Sequence, residues 1–196
     1  MATKFQIITQ AFLAVGASPV QSYDEITDEA ALASDTYELN KRAFLSYAWN
    51  CNAHIFTLSR ELAAPSDVNW KYSFLPPPDW LSYRDIRDIN GQSIPYWSQS
   101  GRIYTNSQTA VALYSRNLTE TDFPDWLAQA LIFKLAAVWA IPITADTDLW
   151  DVASTQAKEA LRVARLEDAR QNPPVQFFTA NQTTWARAWR GSGGVV

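Results

Sequence analysis

The chain has 196 residues, of which 47% are hydrophobic and 18% charged, with a formal net charge of −4. That composition excludes a disordered chain and supplies enough apolar mass for one well-packed domain. The single cysteine, Cys51, excludes an intramolecular disulfide, and the acidic balance argues against a protein that wraps nucleic acid.

Residues 3–16 place Phe5, Ile8, Phe12 and Val15 on one helical face. Gly16 stops that helix and Pro19 prevents its resumption, so the two form a structural corner leading into an extended connector. Thr27 is the expected N-cap of a second helix, with Asp28 and Glu29 in its first turn. Its stripe of Ala30, Ala33, Tyr37, Phe44 and Ala48 is broken once, at the polar Asn40–Lys41 turn.

A strand is expected near 53–62, a second over Trp80–Ile89, and two more near 102–105 and 110–116. Three prolines at 76–78 form a rigid, non-helical run. The Asn90-Gly91-Gln92 and Ser100-Gly101-Arg102 stretches read as turns between short strands.

A third helix, capped by Thr121 or Asp122, is expected to run to about Ala140, with Ile141–Asp146 as connector. The apolar stretch 126–143 contains Gln129 and Lys134 and is closed by Pro142, so it reads as a buried helix and not a membrane span. A fourth helix is expected from about Thr147 to Ala169, ended by Pro173 and Pro174. No secretory signal pattern opens the sequence, so a soluble, intracellular protein is expected.

The expected fold is therefore α+β and mainly α. It is a four-helix bundle with one small antiparallel sheet, residues 53–116, inserted between the second and third helices. Residues 1–171 form this helical domain and residues 172–196 an extended C-terminal tail. The charge follows the same division. Residues 1–156 carry 10 Lys/Arg and 17 Asp/Glu, whereas 157–196 carry 6 and 3, a basic end suited to docking on something acidic.

Residue types that carry chemistry are sparse. His54 is the lone histidine and lies in a strand, where a structural role is the ordinary one; Cys51 nearby reads as an inert thiol. Carboxylate pairs occur at Asp24/Glu25, Asp28/Glu29, Asp85/Asp88 and Asp146/Asp148, and solvated surface is their default reading. Residues 146–151 resemble half of a calcium loop but lack its glycine and terminal glutamate. No catalytic residue, no metal site and no cofactor is expected. The tail differs, because Phe177, Phe178, Trp185 and Trp189 interleave with Arg187 and Arg190. They either pack back on the helices or anchor a partner.

The stretch 13–25, Leu-x-x-Gly-x-x-Pro-Val-x-Ser-x-Asp-Glu, resembles the head-to-tail adaptor proteins of tailed bacteriophages, of the tail tubular protein A and packaged-DNA stabilisation type. Matching pieces follow in order: WKYSFLPPPDWLSYRDI, then the strand pair and helix of 101–144, then ALRVARLEDARQ and the Trp/Arg tail. The resemblance implies a structural virion protein at the head-tail junction, assembled in the host cytoplasm. It implies a ring, usually of twelve copies, under the portal protein. The ring extends the DNA channel, helps retain packaged DNA and offers a platform for tail tube or nozzle proteins. DNA passes through its lumen without sequence-specific binding, and no membrane is involved. Phe177, Phe178, Trp185, Arg187, Trp189 and Arg190 would then be the portal-docking residues. The alternative is a tail-associated peptidoglycan hydrolase using carboxylates such as Glu25, Glu29 or Asp79. Ring formation or portal binding separates the first reading from the second.

Overall fold

The computed structural model describes residues 2–17, 28–62 and 69–171. Four α-helices and seven β-strands lie among them: α1 Lys4–Val15, α2 Asp28–Leu45, β1 Ala53–Thr57, β2 Ser59–Arg60, β3 Tyr72–Leu75, β4 Trp80–Arg87, β5 Tyr96–Gln99, β6 Arg102–Thr105, β7 Val111–Arg116, α3 Asp125–Thr144 and α4 Thr147–Gln171. They fall into two compact units. The described part of the first is 2–17, 28–54, 79–82 and 114–171; that of the second is 55–62, 69–78 and 83–113.

In the first unit α3 is the hub. It is apolar around most of its circumference and buries Leu127, Ala128, Ala130, Leu131, Leu135, Ala136, Trp139 and Ala140. It is the one helix among the described residues long and apolar enough to cross a membrane, and here α1 and α4 pack extensively against it. From α1 come Ile7, Ile8, Ala11, Phe12 and Val15, with Phe12 stacked on Trp139 at 5.0 Å. Helix α4 contributes Ala153, Ala157 and Ala164, small residues that let the two backbones approach closely.

Helix α1 is defined at both ends by its sequence. Thr3 and Gln6 form a reciprocal capping box, and Gly16 takes the left-handed conformation (φ 82°) with its N–H on Leu13. The predicted stop at Gly16 is where the helix ends. Pro19, its partner in the predicted corner, lies outside the described residues, as do Thr27 and the docking tail 172–196.

The expected four-helix bundle with one small sheet is not what forms. The protein is α+β with two antiparallel sheets, a three-stranded one of order β1-β7-β4 and a four-stranded one of order β2-β3-β6-β5. The helices do not make a bundle either, since α2 touches α3 over a small area and α1 barely meets α4. The reason is physical. Periodicity marks which face of an element is apolar, but not which partner covers it. Strand sheet membership depends on backbone pairing between distant residues: Tyr72 faces Thr105, which also faces Tyr96. Strand β5 lies between the two predicted turns, β3 has no counterpart among the expected strands, and the expected strand 53–62 divides at Leu58. The Leu58 side chain is buried and its N–H bonds the Ala110 carbonyl at 2.9 Å.

Ser100 and Gly101, both at positive φ (50° and 71°), form the two-residue turn between β5 and β6, with Gln99 opposite Arg102. Positive φ at both central residues is the hairpin turn whose twist matches the flanking strands. The Asn90-Gly91 turn is held by Asp88, whose Oδ1 accepts the Gln92 and Asn90 N–H groups at 2.8 and 2.9 Å. The Gln92 bond, followed by those of Asn90, carries the Asp88 carboxyl below its ordinary pKa against the cost of burial.

Helix α3 also departs from expectation at both ends. It starts at Asp125, after a 3-10 turn over Glu120–Asp122, with Pro124 and not Thr121 or Asp122 at its cap. It continues through Pro142 to Thr144. A proline one turn from a helix end removes a single backbone bond, here that to the partly exposed Val138. The end is repaired by Thr144, whose hydroxyl donates to the Ala140 carbonyl at 2.7 Å, and by left-handed Ala145, whose N–H reaches Ile141.

Candidate functional site on the α3–α4 helix pair

The two longest helices leave apolar side chains uncovered. Val138 and Ile141 on α3, and Leu149, Trp150, Val152, Val163 and Leu166 on α4, are all exposed, Val152 at 56%. Because alanines dominate the α4 face that meets α3, the larger residues to either side stand proud and leave a groove along each flank. The wider groove, about 530 Å³, runs beside the first half of α3 and is lined by Trp126, Phe133, Ala160, Val163 and Glu159. The narrower, about 300 Å³, lies toward the end of α3 between Val138, Ile141, Trp150 and Leu161, with Lys134 and Lys158 on its rim. In the first, the Glu159 carboxylate is paired with the Arg162 guanidinium at 2.7 and 2.9 Å, whereas the second carries two basic groups.

Several buried charges inside the first unit are paired. Lys41 is buried, and its Nζ donates to Glu120 Oε1 at 2.9 Å while Tyr37 Oη donates to the same oxygen at 3.0 Å. Burial would raise the Glu120 pKa, but hydrogen bonds led by the Lys41 ammonium hold it below the usual glutamate range. The expected break at Asn40–Lys41 is therefore absent. Helix α2 runs through it, with Lys41 one turn beyond Tyr37 on the buried face and its charge neutralised by Glu120. That i,i+4 position on the apolar stripe was the signal that could have identified it.

Buried Asp168, near the end of α4, accepts the backbone N–H groups of Asn50 at 2.6 Å and Cys51 at 2.9 Å. Trp126 Nε1 donates to Gln171 Oε1 at 3.2 Å and joins the end of α4 to the start of α3.

The residues weighed for chemistry have structural places. Cys51 is half-buried and His54 lies edge-on to the Tyr114 ring at 5.7 Å. Asp79 accepts the Tyr114 hydroxyl at 2.9 Å; burial first, then that bond, pushes the Tyr114 pKa above its ordinary value. Asp85 pairs with Arg87 and Ser93. Asp146 caps α4 through the N–H groups of Asp148 and Leu149. Glu29 sits half-buried in the first turn of α2. Asp24 and Glu25, and the docking residues Phe177, Phe178, Trp185, Arg187, Trp189 and Arg190, lie outside the described residues. Among the described residues no group of three or more His, Cys, Asp or Glu side chains is gathered to hold a metal.

Compared with known proteins, the chain matches no protein-family model and has no significant match among curated protein sequences.

Proposed function

We propose that this chain is a structural head-to-tail adaptor of a tailed bacteriophage, forming a ring under the portal protein. The ring extends the DNA channel, helps retain packaged DNA and provides the attachment platform for tail tube or nozzle proteins. The ordered likeness of its sequence pieces to that family is the starting point. The observation that carries the reading to the surface is the uncovered apolar face of α3 and α4. Single exposed apolar residues are ordinary, but a run along two adjoining helices is what a subunit offers to a neighbour. A closed ring is built from unlike surfaces meeting head to tail, so each copy needs two different patches. The α3–α4 pair has two unlike grooves, one walled by Trp126 and Phe133 and one with Lys134 and Lys158 on its rim.

The test is cryo-electron microscopy of the purified chain mixed with its portal protein, with mass photometry of each alone and together. The expected result is a closed ring of this chain seated on the portal. Two separate species at micromolar concentration would overturn the proposal.

A further inference from the structure

We propose that the narrower α3–α4 groove receives helix α2 of a neighbouring copy, with Leu39 as the anchor and Asp35 and Arg42 as the charged ends of the contact. The inference rests on the reading of this chain as a ring-forming subunit and names the surface that its groove meets. Helix α2 turns a row of exposed residues outward: Ala31, Asp35, Leu39 and Ala43, each one turn from the next, with Leu39 72% exposed. Arg42 is exposed beside that row. The buried side of α2 is fixed to its own subunit. Trp139 Nε1 donates to Thr36 Oγ1 at 2.9 Å, and Lys41 is held on Glu120. The row therefore stays on the outside, and a second copy supplies the hollow for it.

The narrower groove matches this row in shape and in charge. Ala137, Ser154 and Ala157 leave the hollow, and Val138, Ile141 and Trp150 give it apolar walls. Helices α3 and α4 run antiparallel across a two-residue connection. Lys134, ten residues before the end of α3, and Lys158, eleven after the start of α4, therefore stand at the same level. Asp151 is exposed seven residues before Lys158, two turns along the same face of α4. Among the described residues, none of Asp35, Arg42, Lys134, Asp151 and Lys158 has an ion-pair partner within the subunit.

Asp35 and Arg42 are also seven residues apart. Laid antiparallel to α4, the neighbour's α2 puts Asp35 between Lys158 and Lys134, Arg42 beside Asp151, and Leu39 over Ser154, in the hollow. The reverse direction would set Asp35 on Asp151 and Arg42 on Lys158, like charge on like, so the charges fix the direction. The groove and the row are different surfaces of one chain. Their contact is head to tail, the kind from which rings are built.

Charge reversal tests this in the full chain mixed with its portal protein, with rings counted by mass photometry. Arg42 and Asp151 are both exposed, so Arg42→Glu and Asp151→Lys are tolerated by the fold. Each variant alone sets like charges across the contact and should lower the portal-bound ring roughly tenfold. An equimolar mixture of the two should restore it, because every reversed surface can then meet a complementary one. Full rings from either variant alone, or no recovery in the mixture, would overturn the proposal. A disulfide trap reads the register. With Cys51→Ser removing the native thiol, Leu39→Cys and Ser154→Cys are introduced together and oxidised in the portal mixture. The expected product is a ladder of linked chains on a non-reducing gel; linked dimers and nothing larger would overturn the head-to-tail contact. If the parent chain forms a ring whose subunits do not link, this contact alone fails. If the parent forms no ring on the portal, the adaptor reading fails and the contact with it.

Discussion

Asp168 and Asn50 are separated by 118 residues, yet the Asp168 carboxylate accepts the Asn50 backbone N–H at 2.6 Å, with that of Cys51 beside it at 2.9 Å. One buried side chain near the end of the last helix thereby fixes the loop that leads from α2 into β1. Replacing Asp168 with Ala leaves two backbone donors without their acceptor beside a buried helix face, and should cost about 2–3 kcal/mol. Asp168→Asn keeps one acceptor oxygen and should cost roughly half as much. Urea unfolding of the two variants beside the parent chain checks the order; equal stabilities would remove the bond from the account.

The Lys41–Glu120 pair sets a second expectation. Lys41→Ala leaves the largely buried Glu120 carboxylate without its ammonium partner and should destabilise the protein by about 2–3 kcal/mol. That is just below the range for fully buried pairs because Glu120 keeps some contact with solvent. Being shielded, the loss should change little between 50 mM and 500 mM salt; a strong salt dependence would mean the pair is effectively at the surface.

The same pair predicts an acid response. The Glu120 pKa is depressed in the folded state, so its contribution is fully present above the ordinary glutamate pKa. It is lost as pH falls through the depressed folded value. Denaturation of the parent chain across pH 7 to 3 should show that decline, and Glu120→Gln should flatten it. Parallel curves for the two proteins would show that other carboxylates carry the acid sensitivity.

Gly16 ends α1 at φ 82°, and a Cβ there would meet nothing within 4 Å. The cost of Gly16→Ala is then one of backbone conformation alone, about 1 kcal/mol, with no steric part. Thermal melting should register it as a drop of several degrees. A neutral substitution would imply that the helix ends in another way once the glycine is gone.

Ser100 offers a change in the opposite direction. It holds φ 50° in the β5–β6 turn ahead of Gly101. Asparagine enters the left-handed region more readily than serine, so Ser100→Asn should stabilise by about 0.5 kcal/mol. Chemical denaturation with matched m-values resolves a difference of that size, and a loss of stability would contradict the turn assignment.

What local chemistry dictates was legible in the residues themselves. The Thr3-to-Gly16 helix, the turn at Ser100-Gly101, the strand over 102–105 and the long α4 all follow from caps, left-handed glycines and apolar spacing that act within a few residues. Tertiary structure decided the rest. The two-sheet division depends on which backbone faces which, as when Thr105 takes both Tyr72 and Tyr96. The hub role of α3 depends on α1 and α4 covering opposite parts of a helix that is apolar nearly all round. Lys41 reads as a polar interruption until Glu120, 79 residues away, neutralises it. Asp168 reads as one more charge on a solvated helix until the Asn50 and Cys51 amides reach it. The candidate site has the same origin: Trp126, Phe133, Ala160 and Val163 are ordinary residues of two amphipathic patterns. Only the close approach of α3 to the alanine face of α4 turns them into a groove, because a groove is the space left between elements and no single element encodes it.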